Sequence, residues 1–180
     1  MVKNDGKIIL FDIDDTLIRS NANIYVVKNG KIKRVISSTQ FNSDRLARGE
    51  NYDYQEFNSA ELLNSAKTTQ YFDTLIREYK KGNIIGIVTA REDKKLIFNY
   101  LKKNGVILDK RLIFTVTAIN SKLSGSIHER KAQVIDILSK KGFNTFVYFD
   151  DNKQNIEACE EMAKKLNLKI YSKQPCVEMT

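Results

Sequence analysis

The chain is short of the residues that staple, break or span. In 180 residues there are two cysteines, one proline, one histidine and no tryptophan. Cys159 and Cys176 are too few for a disulfide framework and show no paired metal-ligand spacing. No apolar run approaches the roughly 18 residues that a bilayer span needs. Met1 is not followed by a basic, apolar and small-residue leader. These absences exclude a disulfide-held secreted scaffold and a helical membrane protein, and the expected location is the reducing cytoplasm. What is present is a 42% apolar content with 29% charged residues, enough for a packed core and against disorder over most of the chain. The length suits a single domain over residues 1–180 carrying a modest insertion. Low-complexity segments and internal repeats are not visible.

Thirty Lys and Arg against 22 Asp and Glu give a net charge of +8, which raises the question of nucleic acid. Placement tempers that reading. Lys80-Lys81, Lys102-Lys103, Lys140-Lys141 and Lys164-Lys165 each stand close before a Gly or Asn. Such positions are the last turns of helices, where cations meet the negative end of the dipole and Gly or Asn supplies the left-handed cap. Those eight lysines carry as much charge as the whole excess.

Five short apolar runs read as strands: Lys7–Phe11, Ile84–Val88, Leu112–Val116, Thr145–Phe149 and Leu168–Tyr171. Their continuous rather than alternating apolarity is that of strands buried on both faces, as in a parallel sheet. Helical spacing appears over Lys67–Lys80, Glu92–Lys103, Ile127–Lys140 and Lys153–Leu166. Strand alternating with helix predicts an α/β, doubly wound, Rossmann-like parallel sheet. Residues 19–65 interrupt the rhythm. Ile24–Val27, Asn29-Gly30 and Ile32–Ile36 predict a hairpin with a type I′ turn. Ser37–Asn58 lacks a period and is expected to be an ordered loop packed through Phe41, Tyr52, Tyr54 and Phe57.

Acidic residues collect at the ends of two of these strands. Asp12-Ile13-Asp14-Asp15-Thr16 follows the first, and Asp150-Asp151 follows the fourth. Clustered carboxylates at the mouth of a buried strand are costly unless a cation or protons neutralise them. In a parallel sheet both strand ends reach the ligand-binding edge. A hard divalent ion with oxygen ligands, Mg²⁺, fits that chemistry. The Ile84–Val88 strand leads into Thr89-Ala90-Arg91 on the same edge, and Lys131 falls in the first turns of a helix, where its charge opposes the dipole and wants an anion. Each feature also has a plain structural reading: a capped turn for the acids, a strand residue for Thr89, a solvated charge for Arg91 and Lys131. His128 is expected to be a loop or cap residue.

The ordered set Asp12-x-Asp14-x-Thr16, Thr89, Lys131 and Asp150-Asp151 resembles the haloacid dehalogenase superfamily of phosphohydrolases, over nearly the whole chain outside 19–65. Many members have Gly where this chain has Asp15. The resemblance implies that Asp12 is the nucleophile and Asp14 the acid and base. It implies that Thr89 and Lys131 hold the phosphoryl group, and that Asp12, Asp14, Asp150 and Asp151 hold Mg²⁺. Thr16, Ala90 and Arg91 would lie along the phosphate. The hairpin would be a flap, with 19–65 as a minimal cap insertion.

By the same resemblance, so small a cap implies an open site and a bulky phosphorylated substrate, such as a nucleic-acid end or a phosphoprotein. Lys28, Lys31, Lys33 and Arg34 on the hairpin, with Arg45 and Arg48 beside aromatics, suit nucleic acid. Thr89-Ala-Arg-Glu and Arg130-Lys131 are loosely similar to the phosphatase part of bacteriophage-type polynucleotide kinase/3′-phosphatases. The expectation is a Mg²⁺-dependent phosphomonoesterase acting on a polynucleotide 3′-phosphate end. The alternatives are a phosphatase of small nucleotides or sugar phosphates, and a non-catalytic phosphate-binding or partner-binding module. A membrane partner is not expected, and the sequence leaves the oligomeric state open.

Overall fold

The structure, a computed structural model, describes residues 6–175; Met1 and Cys176 lie outside them. Its first strand, β1 (Lys7–Phe11), shows why the sheet is buried on both sides. Ile8 and Leu10 point into one apolar cluster, Ile9 and Phe11 into another, and all four are at most 3% exposed. Alternate side chains of a strand leave opposite faces, so each face needs its own cover.

The chain continues through β2 (Ile18–Arg19), β3 (Asn23–Lys28), β4 (Lys31–Ser37), α1 (Ser38–Phe41), β5 (Asn51–Asp53), α2 (Ala60–Ser65) and β6 (Lys67–Thr68). It then alternates regularly: α3 (Gln70–Lys80), β7 (Ile85–Thr89), α4 (Lys94–Lys103), β8 (Ile113–Thr115), α5 (Ile127–Ser139), β9 (Thr145–Phe149), α6 (Lys153–Lys165) and β10 (Lys169–Lys173). Five strands form a wholly parallel sheet in the order β10-β9-β1-β7-β8. Phe72 and Leu75 of α3 and Ile97 and Leu101 of α4 pack with Ile9 and Phe11. Val134 and Leu138 of α5 and Cys159 and Ala163 of α6 pack with Ile8 and Leu10. The predicted α/β, Rossmann-like layering is present. Each fully buried aliphatic or aromatic side chain contributes about 1.5–3 kcal/mol, so two such clusters hold the layers together.

All four lysine pairs stand where expected, at the ends of α3, α4, α5 and α6. A left-handed residue follows each: Gly82, Gly105, Gly142 and Asn167. After α4 that residue is Gly105 rather than the adjacent Asn104. In β7, Gly86 is required by proximity, since a Cβ there would stand 2.8 Å from Leu10 Cδ2 and 3.1 Å from the Leu112 carbonyl oxygen.

The stretch between β1 and α3 is more ordered than the sequence suggests. β3 and β4 form the predicted hairpin, with Asn29 and Gly30 both at positive φ as a type I′ turn demands. β5 adds to the other edge of β3, so the expected Ser37–Asn58 loop contains a third strand. It also contains the short α1, closed by a Ser37/Gln40 capping box. Lys67 and Thr68, expected to open a helix, instead pair with β2; Thr69 caps α3 and sets its true start. Ile24, Val26 and Ile36 are buried beneath Phe41, Tyr52 and Phe57. No helix among the described residues is long and apolar enough to cross a membrane.

Candidate functional site

The two acidic segments meet because of strand register. Phe11 of β1 pairs with Phe149 of β9, their rings stack at 4.6 Å, and the Asp12 amide donates to the Phe149 carbonyl at 2.9 Å. Asp12 and Asp150 therefore leave the sheet side by side. β1 is also where the order of chain connection reverses, with later strands β7 and β8 on one side and β9 and β10 on the other. Open α/β sheets form their ligand crevice at the carboxyl ends of strands beside such a reversal.

Asp12, Asp150 and Asp151 each present an oxygen within 4.8 Å of the others. Lys131, 2% exposed on α5, donates to Asp12 Oδ1 at 2.9 Å and to Asp150 Oδ2 at 2.7 Å. Burial alone would lower the lysine pKa, but the two carboxylates outweigh it and raise it, so the ammonium stays charged. One ammonium cannot neutralise both acids. Burial raises the Asp12 carboxyl well above its usual range; Lys131 opposes this, while Asp150, Asp151 and Asp14 add repulsion. Burial and Asp150 push Asp151 up to about 7.

Asp150 is fully enclosed. Its oxygens also accept from the Tyr148 hydroxyl, the Asn152 amide at 2.9 Å and the Asn155 side chain at 2.9 and 3.2 Å. Asp14 is held from the other side. Arg91, 4% exposed, donates to both its oxygens at 2.9 and 2.8 Å and to the Phe57 carbonyl at 2.7 Å. Its guanidinium carbon lies 5.0 Å from the centre of the Phe57 ring. Among the described residues, the cations bonded to these carboxylates are Lys131, shared by Asp12 and Asp150, and Arg91, on Asp14. Carboxylates held this close repel one another, and protons or a bound divalent ion would relieve that repulsion.

Above this cluster lies a cavity of about 390 Å³. Asp12, Asp14, Asp151, Ala90, Arg91 and Lys131 line it from the sheet edge, and residues of the β3–β5 insert line it from above. The insert is tied to the acidic loops themselves. The Asn42 side chain donates to Asp151 Oδ2 at 3.1 Å and accepts from Asn152 at 2.8 Å. Asp15 stands at φ +59°, the left-handed conformation that Gly adopts freely and Asp tolerates. Burial raises the Asp15 carboxyl, while the Ser38 and Thr39 hydroxyls of α1 favour its charge.

Other sequence candidates sit elsewhere. Thr16 and Thr89 are fully buried and are not among the residues lining the cavity. Thr16 Oγ1 accepts from the Asp151 amide at 3.1 Å, tying the two acidic loops together. Thr89 Oγ1 accepts from the Arg91 amide at 3.2 Å. Lys31 and Lys33 are exposed on the hairpin and do not line the cavity. Arg34 is committed within the insert, to Asp44 at 2.9 Å and Glu50 at 2.8 Å. His128 does line the cavity, with Nε2 3.1 Å from the Ser126 hydroxyl.

Tyr148, Asn155 and Asn42 hold the acids as well, although the sequence pattern does not single them out. Tyr148 was legible in principle, since it stands two residues before Asp150 on the same strand face and a buried tyrosine hydroxyl needs a partner. Asn42 carries no such local signal. In comparisons with protein families, curated proteins and solved structures, none matches this chain.

Proposed function

We propose that this chain is a divalent-cation-dependent phosphomonoesterase that works through an aspartyl-phosphate on Asp12. The observation that carries the reading is the convergence of Asp12, Asp150 and Asp151 within 4.8 Å, with Lys131 bonded to the first two and with Asp12, Asp151 and Lys131 lining a cavity above the enclosed Asp150. All three donors are carboxylate oxygens, the set a hard ion takes. Octahedral coordination at about 2.1 Å puts ligand oxygens roughly 3–4 Å apart, a small contraction from what is present. Mg²⁺ is the ion proposed, held by Asp12, Asp150 and Asp151 with the Asp14 segment alongside. When bound, it would offset the charge of the phosphoryl oxygens against the anionic nucleophile.

In the first step a carboxylate oxygen of Asp12 attacks phosphorus and the bond to the leaving oxygen breaks. Asp14 gives that oxygen a proton. In the second step Asp14 takes a proton from water as the water attacks the aspartyl-phosphate, which frees phosphate and restores Asp12. Lys131 holds charge beside Asp12 throughout. Arg91 lines the cavity and can exchange Asp14 for a phosphoryl oxygen when substrate enters, and Thr89 holds the Arg91 loop in place.

A polynucleotide 3′-phosphate end is the first substrate class proposed. A small nucleotide or sugar phosphate is the second, and one observation favours it. The insert closes over the site through Asn42, while Arg34 is spent internally and Lys31 and Lys33 stand off the cavity. Phosphate release across a panel of mononucleotides, sugar phosphates and 3′-phosphorylated oligonucleotides, with Mg²⁺ and with EDTA, tests both. Cation-dependent release is expected, and steep salt dependence confined to the oligonucleotide marks the first class. Absence of release from every phosphomonoester would overturn the enzyme reading.

A further inference from the structure

The rings that cover the insert's small core also turn a surface towards the cavity. Ile24, Val26 and Ile36 already form its buried base. On top stand Phe41, Tyr52, Tyr54 and Phe57, all lining the cavity and none of them buried. Tyr54 is 39% exposed. Neighbouring ring centres lie 4.9 Å apart for Phe41–Tyr52, 5.8 Å for Phe41–Tyr54 and 6.5 Å for Tyr54–Phe57, with planes crossing at 74–82°. An edge-to-face contact covers one face of one ring and leaves the opposite face outside that contact. Apolar surface turned towards water inside a cavity marks a place that a ligand covers.

Resting on the phosphomonoesterase reading, we propose that this aromatic tier is a stacking subsite for the base of a single nucleotide unit, whether free or at the end of a strand. Two further features select a nucleobase over other rings. Asn58 and Arg45 line the same cavity, offering amide and guanidinium groups to the polar edge of a heteroaromatic ring, which a plain phenyl ring would leave unpaired. The tier also begins one guanidinium away from the acid cluster, because Arg91 touches Phe57 on one side and Asp14 on the other. A phosphate at Asp12 and a base among the rings are then two ends of one cavity, with the sugar between them.

The test compares kcat/KM for a nucleoside monophosphate with that for ring-free ribose 5-phosphate, in the wild type, Tyr54→Ala and Tyr54→Phe. Removing one stacking ring should lower the nucleotide-to-ribose-phosphate ratio about ten-fold in the alanine variant, mainly through KM, and Tyr54→Phe should restore it. A ratio unmoved by Tyr54→Ala overturns the subsite. Parallel assays on a mononucleotide and a 3′-phosphorylated oligonucleotide show which source supplies the unit. Faster turnover of a phosphotyrosine peptide with the same Tyr54 dependence would overturn the nucleobase assignment. Saturation-transfer NMR with a phosphate-free nucleoside and metal-free protein supplies a readout independent of catalysis. If no phosphomonoester is hydrolysed but the nucleoside still binds and Tyr54→Ala weakens it, the enzyme reading fails and the subsite stands. If the nucleoside does not bind, the subsite fails.

Discussion

Arg91 pairs with Asp14, but Asp12, Asp150 and Asp151 are held by partners that supply fewer positive charges than there are acids. Asp12 is buried and shares a single ammonium with Asp150, and the net effect raises its carboxyl well above the ordinary range. Asp12→Asn removes that burden, so in cation-free buffer the variant should melt at or above the wild-type temperature while losing all phosphate release. Wild-type turnover would contradict the nucleophile assignment. Lys131→Met does the reverse. It leaves two buried carboxylates without their cation and should cost about 3–5 kcal/mol near neutral pH, measured by denaturant unfolding. The loss should shrink in acid. An acid whose folded pKa is raised takes up protons more readily when folded, so lowering the pH through that raised value favours the native state. The acids and Lys131 were legible because each follows an apolar strand or opens a helix. The enclosure of Asp150 by Tyr148 and Asn155 was not, because a tyrosine inside TFVYF reads as core until its hydroxyl is placed.

At the scale of elements, the insert is a small sheet with a small base, fastened to the larger one at the loops that carry the chemistry. Its fastenings are Asn42 to Asp151 and Asn152, and Arg91 to the Phe57 carbonyl. Partly exposed hydrogen bonds contribute about 0.5–1.5 kcal/mol each, so Asn42→Ala should reduce global stability by about 1 kcal/mol. Its larger effect should be local. Amide exchange in β3, β4 and β5 should quicken while that in β1 and β9 stays slow, because the insert opens more cheaply than the central strands. Equal acceleration everywhere would mean that the two layers open as one. The hairpin was legible from Asn29-Gly30 between β-branched runs. β5 was not, since Asn51-Tyr52-Asp53 has little strand preference of its own and becomes a strand by adding to the edge of β3. α1 lasts four residues, too few for a period, although its Ser37/Gln40 capping pair was there to be read.

For the molecule as a whole, the order β10-β9-β1-β7-β8 brings acids separated by most of the chain to one point on the sheet edge. That layering was legible from doubly buried apolar runs alternating with amphipathic helices. The register that sets Asp12 beside Asp150 was not, because strand order is a property of tertiary packing. Negative charge gathered at the site should make the stability of the fold depend on cations. Asp12 and Asp151 have raised folded pKa values, Asp151 up to about 7, so the metal-free protein should lose stability as pH rises from about 4 through that value. Mg²⁺ should restore it, with a Tm gain that is small in acid, where protons already neutralise the site, and grows towards alkaline pH. A pH-independent gain would place the cation elsewhere. The most direct measurement of the central claim is peptide mass analysis of protein quenched in acid during turnover of a phosphomonoester with Mg²⁺. The added mass of one phosphoryl group on the peptide containing Asp12, absent with EDTA and in Asp12→Asn, is the predicted result. Sustained phosphate release with no such adduct, or with an adduct on any other residue, would contradict it.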